Sequence, residues 1–263
     1  MKILIILVLF CIVSTISDQD CIESYLKKIW YSSKDEVVCK TFIQNFTADF
    51  KQDVMARLKA EDHQNCIVKA IDEYKIVDFF LKGFAEDLKS NFTEDEVYQE
   101  ILEVYKKNYI EAAKFICLTD VQWKSIFDTE VSYFKHIAKE EKHSEKRCKQ
   151  IYFIKNNFIN PADFNIDVAT FNATNCSHVF KEIERKFRVS EENLENIESV
   201  FIQSSQCYAR KFKDEKIFLK MEAVKVFGSL ELTEDQNKKL RVKYIENKIS
   251  MATIVLKCAR DQV

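Results

Sequence analysis

One spacing occurs twice in this chain. Cys66 to Cys117 and Cys207 to Cys258 are each 51 positions apart. Between each pair a long apolar-periodic run is interrupted once, at Thr93 followed by Glu96 and at Thr233 followed by Gln236. A Thr followed three residues later by Glu or Gln is a capping box, in which the two side chains satisfy orphan backbone donors at a helix start. Before the first box, Ala70, Tyr74, Val77, Leu81, Phe84 and Leu88 recur at steps of three and four; after it, Tyr98, Leu102, Tyr105, Tyr109, Ala112 and Ile116 do the same. Each set forms one apolar stripe on a helix. The expectation is a helical hairpin with two continuous arms of about 24 residues, or about 36 Å each. Equal antiparallel arms bring their outer ends together, and those ends are the cysteines. The second copy follows the plan with Ile217, Met221 and Val224 before its box, and Val242, Ile245, Ile249, Ala252 and Leu256 after it.

Composition supports helices throughout. Two glycines and one proline leave almost none of the punctuation that strands and tight turns use. The expected fold is all-α: a tandem duplication of a disulfide-stapled helical unit, each copy containing a long antiparallel helical hairpin. The same scarcity argues against phosphate-cradling loops and dinucleotide fingerprints, because Gly83 and Gly228 stand alone.

Met1 to Ser17 has the organisation of a secretory signal. Lys2 is the charged start, Ile3 to Val13 the apolar segment, and Thr15 with Ser17 the small residues that suit cleavage before Asp18. The apolar segment is too short for a bilayer span, which needs about 20 residues. Secretion to the extracellular space without stable membrane insertion is expected. Cleavage removes Cys11 and leaves Cys21, Cys39, Cys66, Cys117, Cys148, Cys176, Cys207 and Cys258, an even set suited to disulfides in an oxidising compartment. Hairpin geometry pairs Cys66 with Cys117 and Cys207 with Cys258. Given those, Cys21 pairs with Cys39 and Cys148 with Cys176 by exclusion within each half, although spacing alone leaves other connectivities of these four open. Four sequons, at Asn45, Asn91, Asn172 and Asn175, are candidate N-glycosylation acceptors, with Cys176 in a disulfide disfavouring Asn175.

The repeat extends upstream of the hairpins. Cys21 and Tyr25 correspond to Cys148 and Tyr152, and Cys39 with Phe42 and Phe50 to Cys176 with Phe180 and Phe187. The first cysteine interval is longer in the second copy, where Asn160 and Pro161 open a new short helix. The organisation is then a signal peptide over 1–17, a helical repeat over 18–120, a connecting helix and linker over 121–144 and a second repeat over 145–263. The connecting helix starts at a capping box, Thr119 with Gln122, and runs through Trp123, Phe127, Val131 and Phe134 into a mixed-charge stretch from Lys139 to Arg147. In outline this tandem, secreted, disulfide-linked helical architecture resembles that of arthropod odorant-binding proteins and their two-domain salivary relatives. The paired cysteines four positions apart that mark each of their domains are absent. The resemblance covers architecture only and brings no residue role to this chain.

Charge and motif content narrow the functional classes. With 40 basic and 42 acidic residues and no basic block, nucleic acid is not an expected partner. His63, His136, His143 and His178 form neither an HExxH pattern nor part of a GxSxG site. His136 and His143 would share one helix face as an exposed pair beside Glu140 and Glu141. The segment Ser204, Ser205, Gln206, Cys207 has no general base placed by sequence. No catalytic residue, metal site or cofactor is expected, and an enzyme would need carboxylates or a histidine converging in a cleft. The dense aromatics, 21 Phe, 10 Tyr and 2 Trp, fill a core or line a cavity. Two non-enzymatic readings follow. One is a carrier holding a small hydrophobic ligand in a closed apolar cavity. The other is an interaction or effector protein of salivary, venom or haemolymph type, meeting an extracellular protein partner through an exposed apolar patch.

Overall fold

The structure, a computed structural model, describes residues 18–27, 32–58, 63–89, 95–164, 166, 176–195 and 202–261. Those residues are all-helical. In chain order they form α1 (Asp18–Lys27), α2 (Ser33–Arg57), α3 (Gln64–Glu73), α4 (Ile76–Lys89), α5 (Asp95–Cys117), α6 (Asp120–Ile137), α7 (His143–Lys155), α8 (Ser177–Glu195), α9 (Ile202–Asp214), α10 (Ile217–Gly228) and α11 (Glu234–Arg260), with 3-10 turns at Ala138–Glu140 and Pro161–Asp163. The signal segment and Asn91, Asn172 and Asn175 lie outside the described residues, as does Thr93.

Local chemistry explains where several helices begin. At α6 the Gln122 backbone donates to the Thr119 hydroxyl at 3.4 Å, and the Thr119 backbone donates to Gln122 Oε1 at 2.9 Å. The same reciprocal pair opens α11, at 3.3 and 3.0 Å between Thr233 and Gln236. Each such cap contributes about 1 kcal/mol. Asn160 caps the turn that follows it by accepting from the Ala162 backbone at 3.2 Å, with Pro161 in the first position.

The first arm of each hairpin is not continuous. It breaks into α3 and α4 at Tyr74–Lys75, and into α9 and α10 at Glu215–Lys216. Lys75 and Lys216 take the left-handed conformation, with φ of 52° and 53°, and each lies nine positions after its cysteine. The hydrogen bonds also correspond. Tyr74 donates to the Ala70 carbonyl, Lys75 to Asp72 and Phe79 to Lys75; Glu215 donates to Lys211, Lys216 to Lys213 and Lys220 to Lys216. A left-handed non-glycine residue costs about 1–2 kcal/mol. Burial offsets that cost, because the residue after each lysine, Ile76 or Ile217, is fully buried. The unit around Cys66–Cys117, and that around Cys207–Cys258, is thus a bent pair of helices against one long helix.

Disulfides join α1 to α2 through Cys21–Cys39, α3 to α5 through Cys66–Cys117, α7 to the start of α8 through Cys148–Cys176, and α9 to α11 through Cys207–Cys258. Closing a 51-residue span removes unfolded-chain entropy worth about 4 kcal/mol. Polar ties supplement them. The Tyr25 hydroxyl on α1 donates to Asp78 on α4 at 3.0 Å. Lys106 on α5 pairs with Asp53 on α2, and Arg57 with Glu103 at 2.7 Å. The Asp53 carboxyl is held below its ordinary pKa by its bonds from Lys106 and then Arg57.

Two main apolar clusters make the core, and α11 belongs to both. Ile22, Phe50, Val54, Ile67, Ile71, Phe79, Phe80, Leu81 and Tyr109 pack with Ala252, Leu256 and Ala259 of α11. Trp123, Phe127, Phe134, Phe153, Phe164 and Phe227 pack with its Leu240 and Tyr244. The buried line on α11 therefore runs through Leu240 and Tyr244. Val242, expected on that line, is exposed, since two residues advance the helix by more than half a turn. Along the middle, α11 lies against α5, with Ala112 and Ala113 facing the cluster that holds Ala252 and Ala259. These small side chains let α5 and α11 come close.

Candidate functional site

The seam between α5 and α11 opens, on the side of α9, into a half-open cleft of about 360 Å³. Three helices build it. From α5 come Asn108, Tyr109, Glu111, Ala112 and Phe115; from α9, Tyr208 and Phe212; from α11, Lys248, Met251, Ala252 and Val255. Tyr109, Ala112 and Ala252 are buried, whereas Asn108 and Glu111 are exposed. The wall of α9 is aromatic, with Tyr208 and Phe212 ring centres 5.9 Å apart and Phe212 braced edge-on by Phe218 at 5.7 Å.

The positions that follow Cys66 and Cys207 differ in size and surroundings. One and five positions after Cys66 stand Ile67 and Ile71, both fully buried. The same places after Cys207 hold Tyr208 and Phe212, larger side chains that line the cleft. Ile67 and Ile71 are thus core residues, whereas Tyr208 and Phe212 form a wall of the cleft.

One rim residue is a cation. Lys248 places its ammonium 6.0 Å from the Phe115 ring centre and 5.3 Å from that of Tyr244. Phe115 is itself stacked on Trp123 at 5.5 Å, so the lysine stands on an aromatic platform. Such contacts contribute about 0.5–1 kcal/mol at partly exposed sites. Among the described residues Lys248 makes no ion pair, while Glu111 across the cleft is paired with Lys114 at 3.8 Å. Tyr244, beneath Lys248, has its phenol pKa pushed up by burial first and by Glu130 second.

A second, larger recess of about 490 Å³ lies between the end of α6, α7 and α10 and has a different chemistry. Its Lys149 pairs with Glu141 and with Glu145 at 3.2 Å, and Glu222 lies 3.7 Å from Lys225 and 3.8 Å from Lys186. Burial pulls the Lys149 ammonium toward neutrality, but the Glu141 and Glu145 carboxylates prevail and its pKa is raised. These charges satisfy one another. The stretch from Lys139 to Arg147 that supplies several of them is not one solvated helix: Glu141 is extended between the 3-10 turn and α7. His136 therefore ends α6 and His143 starts α7, both exposed, and the expected shared helix face does not exist. His63 precedes α3 and His178 lies on α8. No group of three or more metal-ligating side chains occurs among the described residues. Cys207, beside Ser204 and Ser205, is bonded to Cys258. Asn45 is exposed on α2.

Sequence reasoning placed Tyr109, Ala112 and Ala252 on apolar stripes but did not single out Tyr208, Phe212, Met251 or Lys248. The signal that could have drawn notice to Tyr208 and Phe212 is that bulky aromatics stand at the first and fifth positions after Cys207 where Ile67 and Ile71 follow Cys66. No helix among the described residues is long and apolar enough to cross a membrane. Comparison with protein families, curated proteins and solved structures found no match.

Proposed function

We propose that this chain is a secreted, non-enzymatic binding protein that carries a small hydrophobic ligand in the cleft between α5, α9 and α11. The observation that carries this reading is an apolar recess of about 360 Å³ lined by four aromatic rings, Met251 and Val255 at the seam of the molecule. Ligand sites favour such seams and occupy about 300–1,000 Å³. The recess is half open, so the ligand is held in a cleft and not in the closed cavity expected of a carrier. Secretion is supported by the signal-like segment Met1 to Ser17 and by the pairing of eight cysteines, and the exposed Asn45 is offered as a glycan acceptor on that route.

The molecule consists, in this reading, of two diverged copies of one unit. The support is the equal cysteine spans, the left-handed lysines at the same offset and the matching hydrogen bonds around them. Divergence after duplication then placed the core residues Ile67 and Ile71 in one copy where the other has Tyr208 and Phe212 lining the cleft. The alternative, an effector acting through its surface on an extracellular protein, has less support. The exposed large apolar residues Val37, Val38, Val104, Val121, Tyr133 and Val242 are spread over four helices.

Native mass spectrometry of the unreduced protein purified from its own secretion tests the reading. A small-molecule mass that disappears on denaturation, with four disulfides retained, is the expected result. A single mass unchanged by denaturation, on protein that also fails to take up an added alkyl probe, overturns it.

A further inference from the structure

We infer that the cleft selects an amphipathic monoanion, an alkyl or aryl carboxylate, and that Lys248 is the head-group ligand. This inference rests on the proposed binding of a small hydrophobic molecule in the cleft and specifies its chemistry. Charge complementarity in a largely apolar recess supports it. The faces supplied by Phe115, Tyr208, Phe212, Met251 and Val255 suit a hydrocarbon tail or ring. The cleft's two charged side chains are Glu111 and Lys248. Glu111 is exposed and already paired with Lys114. Lys248 lacks a carboxylate partner among the described residues and is held over the Phe115 and Tyr244 rings at the mouth.

A ligand carboxylate reaching the mouth supplies the anion that Lys248 lacks and keeps its tail on the aromatic wall. A lysine acts as a point charge, whereas planar bidentate recognition or a dianionic phosphate is better met by arginine or several cations. One lysine therefore matches one negative charge. Met251 adds an unbranched, adaptable side chain, which suits a site accepting a range of tail shapes.

The test uses the disulfide-intact secreted chain and two fluorescent probes, dansyl-aminoundecanoic acid and the corresponding neutral alcohol, titrated at pH 7.4. The acid should bind about tenfold more tightly than the alcohol, the scale of one charge-assisted hydrogen bond at a partly exposed site. Lys248→Met should remove the preference for the acid over the alcohol, and Lys248→Arg should retain it. Met251→Trp, which fills the cleft, should weaken both probes. Equal affinities for acid and alcohol, or an unchanged acid affinity in Lys248→Met, would overturn the assignment of the head group and leave the cleft reading standing. Failure of both probes to bind the native chain, or indifference of both to Met251→Trp, would overturn the cleft reading itself. Far-UV circular dichroism of each variant verifies that helix content is unchanged.

Discussion

Removing one oxygen from the middle of the core should stabilise this protein. Tyr244 is fully buried, its ring meeting Phe127 at 5.4 Å and Trp123 edge-on at 6.2 Å. Its hydroxyl has no hydrogen-bond partner among the described residues. A buried hydroxyl left unsatisfied costs about 1–3 kcal/mol relative to an apolar group of the same shape. Tyr244→Phe keeps the ring, its two aromatic contacts and the face on which Lys248 rests, and removes only the unsatisfied group. The expected gain is about 1 kcal/mol. For a chain of this length that raises the unfolding temperature by about 2–4 °C. Tyr244→Ala, which removes the ring and leaves a cavity, should instead cost about 3–5 kcal/mol. Differential scanning calorimetry on the disulfide-intact protein reads both. A fall in unfolding temperature for Tyr244→Phe would mean that the hydroxyl donates to a partner in the folded molecule, and the packing account of this region would then be wrong.

Three further perturbations follow from the same structure. Tyr25, pushed up to about 12 by burial first and then by Asp78, contributes stability that is complete below its unfolded pKa of about 10 and lost as pH rises through 12. Absorbance at 295 nm should show tyrosines that ionise late, Tyr25 and Tyr244 among them, with one fewer in Tyr25→Phe; a late-ionising absorbance unchanged by Tyr25→Phe would refute this. Lys75→Gly and Lys216→Gly should each stabilise the fold by up to about 1 kcal/mol, read as a higher denaturant midpoint, because glycine relieves the left-handed conformation; opposite signs would contradict the equivalence of the two turns. A Cβ at Gly228 would lie 3.2 Å from Phe134 Cδ2 where α10 crosses α6, so Gly228→Val should cost about 1–3 kcal/mol by overpacking in the same denaturation assay.

Much of the helical framework was legible because its signals are local. Thr119 with Gln122, Thr233 with Gln236 and Asn160 with Pro161 announce helix starts within a few residues, and each makes the hydrogen bonds its residue types imply. The breaks at Lys75 and Lys216 gave no such notice. A lysine in the left-handed region carries no compositional mark, and what holds it there is burial of the next isoleucine against distant helices. The same holds for the gap between α6 and α7, where neither glycine nor proline marks the end of α6. On α11, periodicity admitted more than one apolar line, and packing against α6 and α10 selected Leu240 and Tyr244 over Val242. The cleft is the least local feature. It exists because α5, α9 and α11 meet, and Lys248 matters only because Phe115, more than a hundred residues earlier, lies beneath its ammonium.

The central claim is that a small hydrophobic ligand sits between α5, α9 and α11. Photoaffinity labelling with a long-chain alkyl diazirine, followed by peptide mapping of the unreduced and then the reduced protein, tests it most directly. The account predicts that labels concentrate on Tyr109 to Phe115, Tyr208 to Phe212 and Met251 to Val255, and that excess unlabelled alkyl carboxylate displaces them. Labels confined to other helices, or spread over the surface and not displaced, would contradict it.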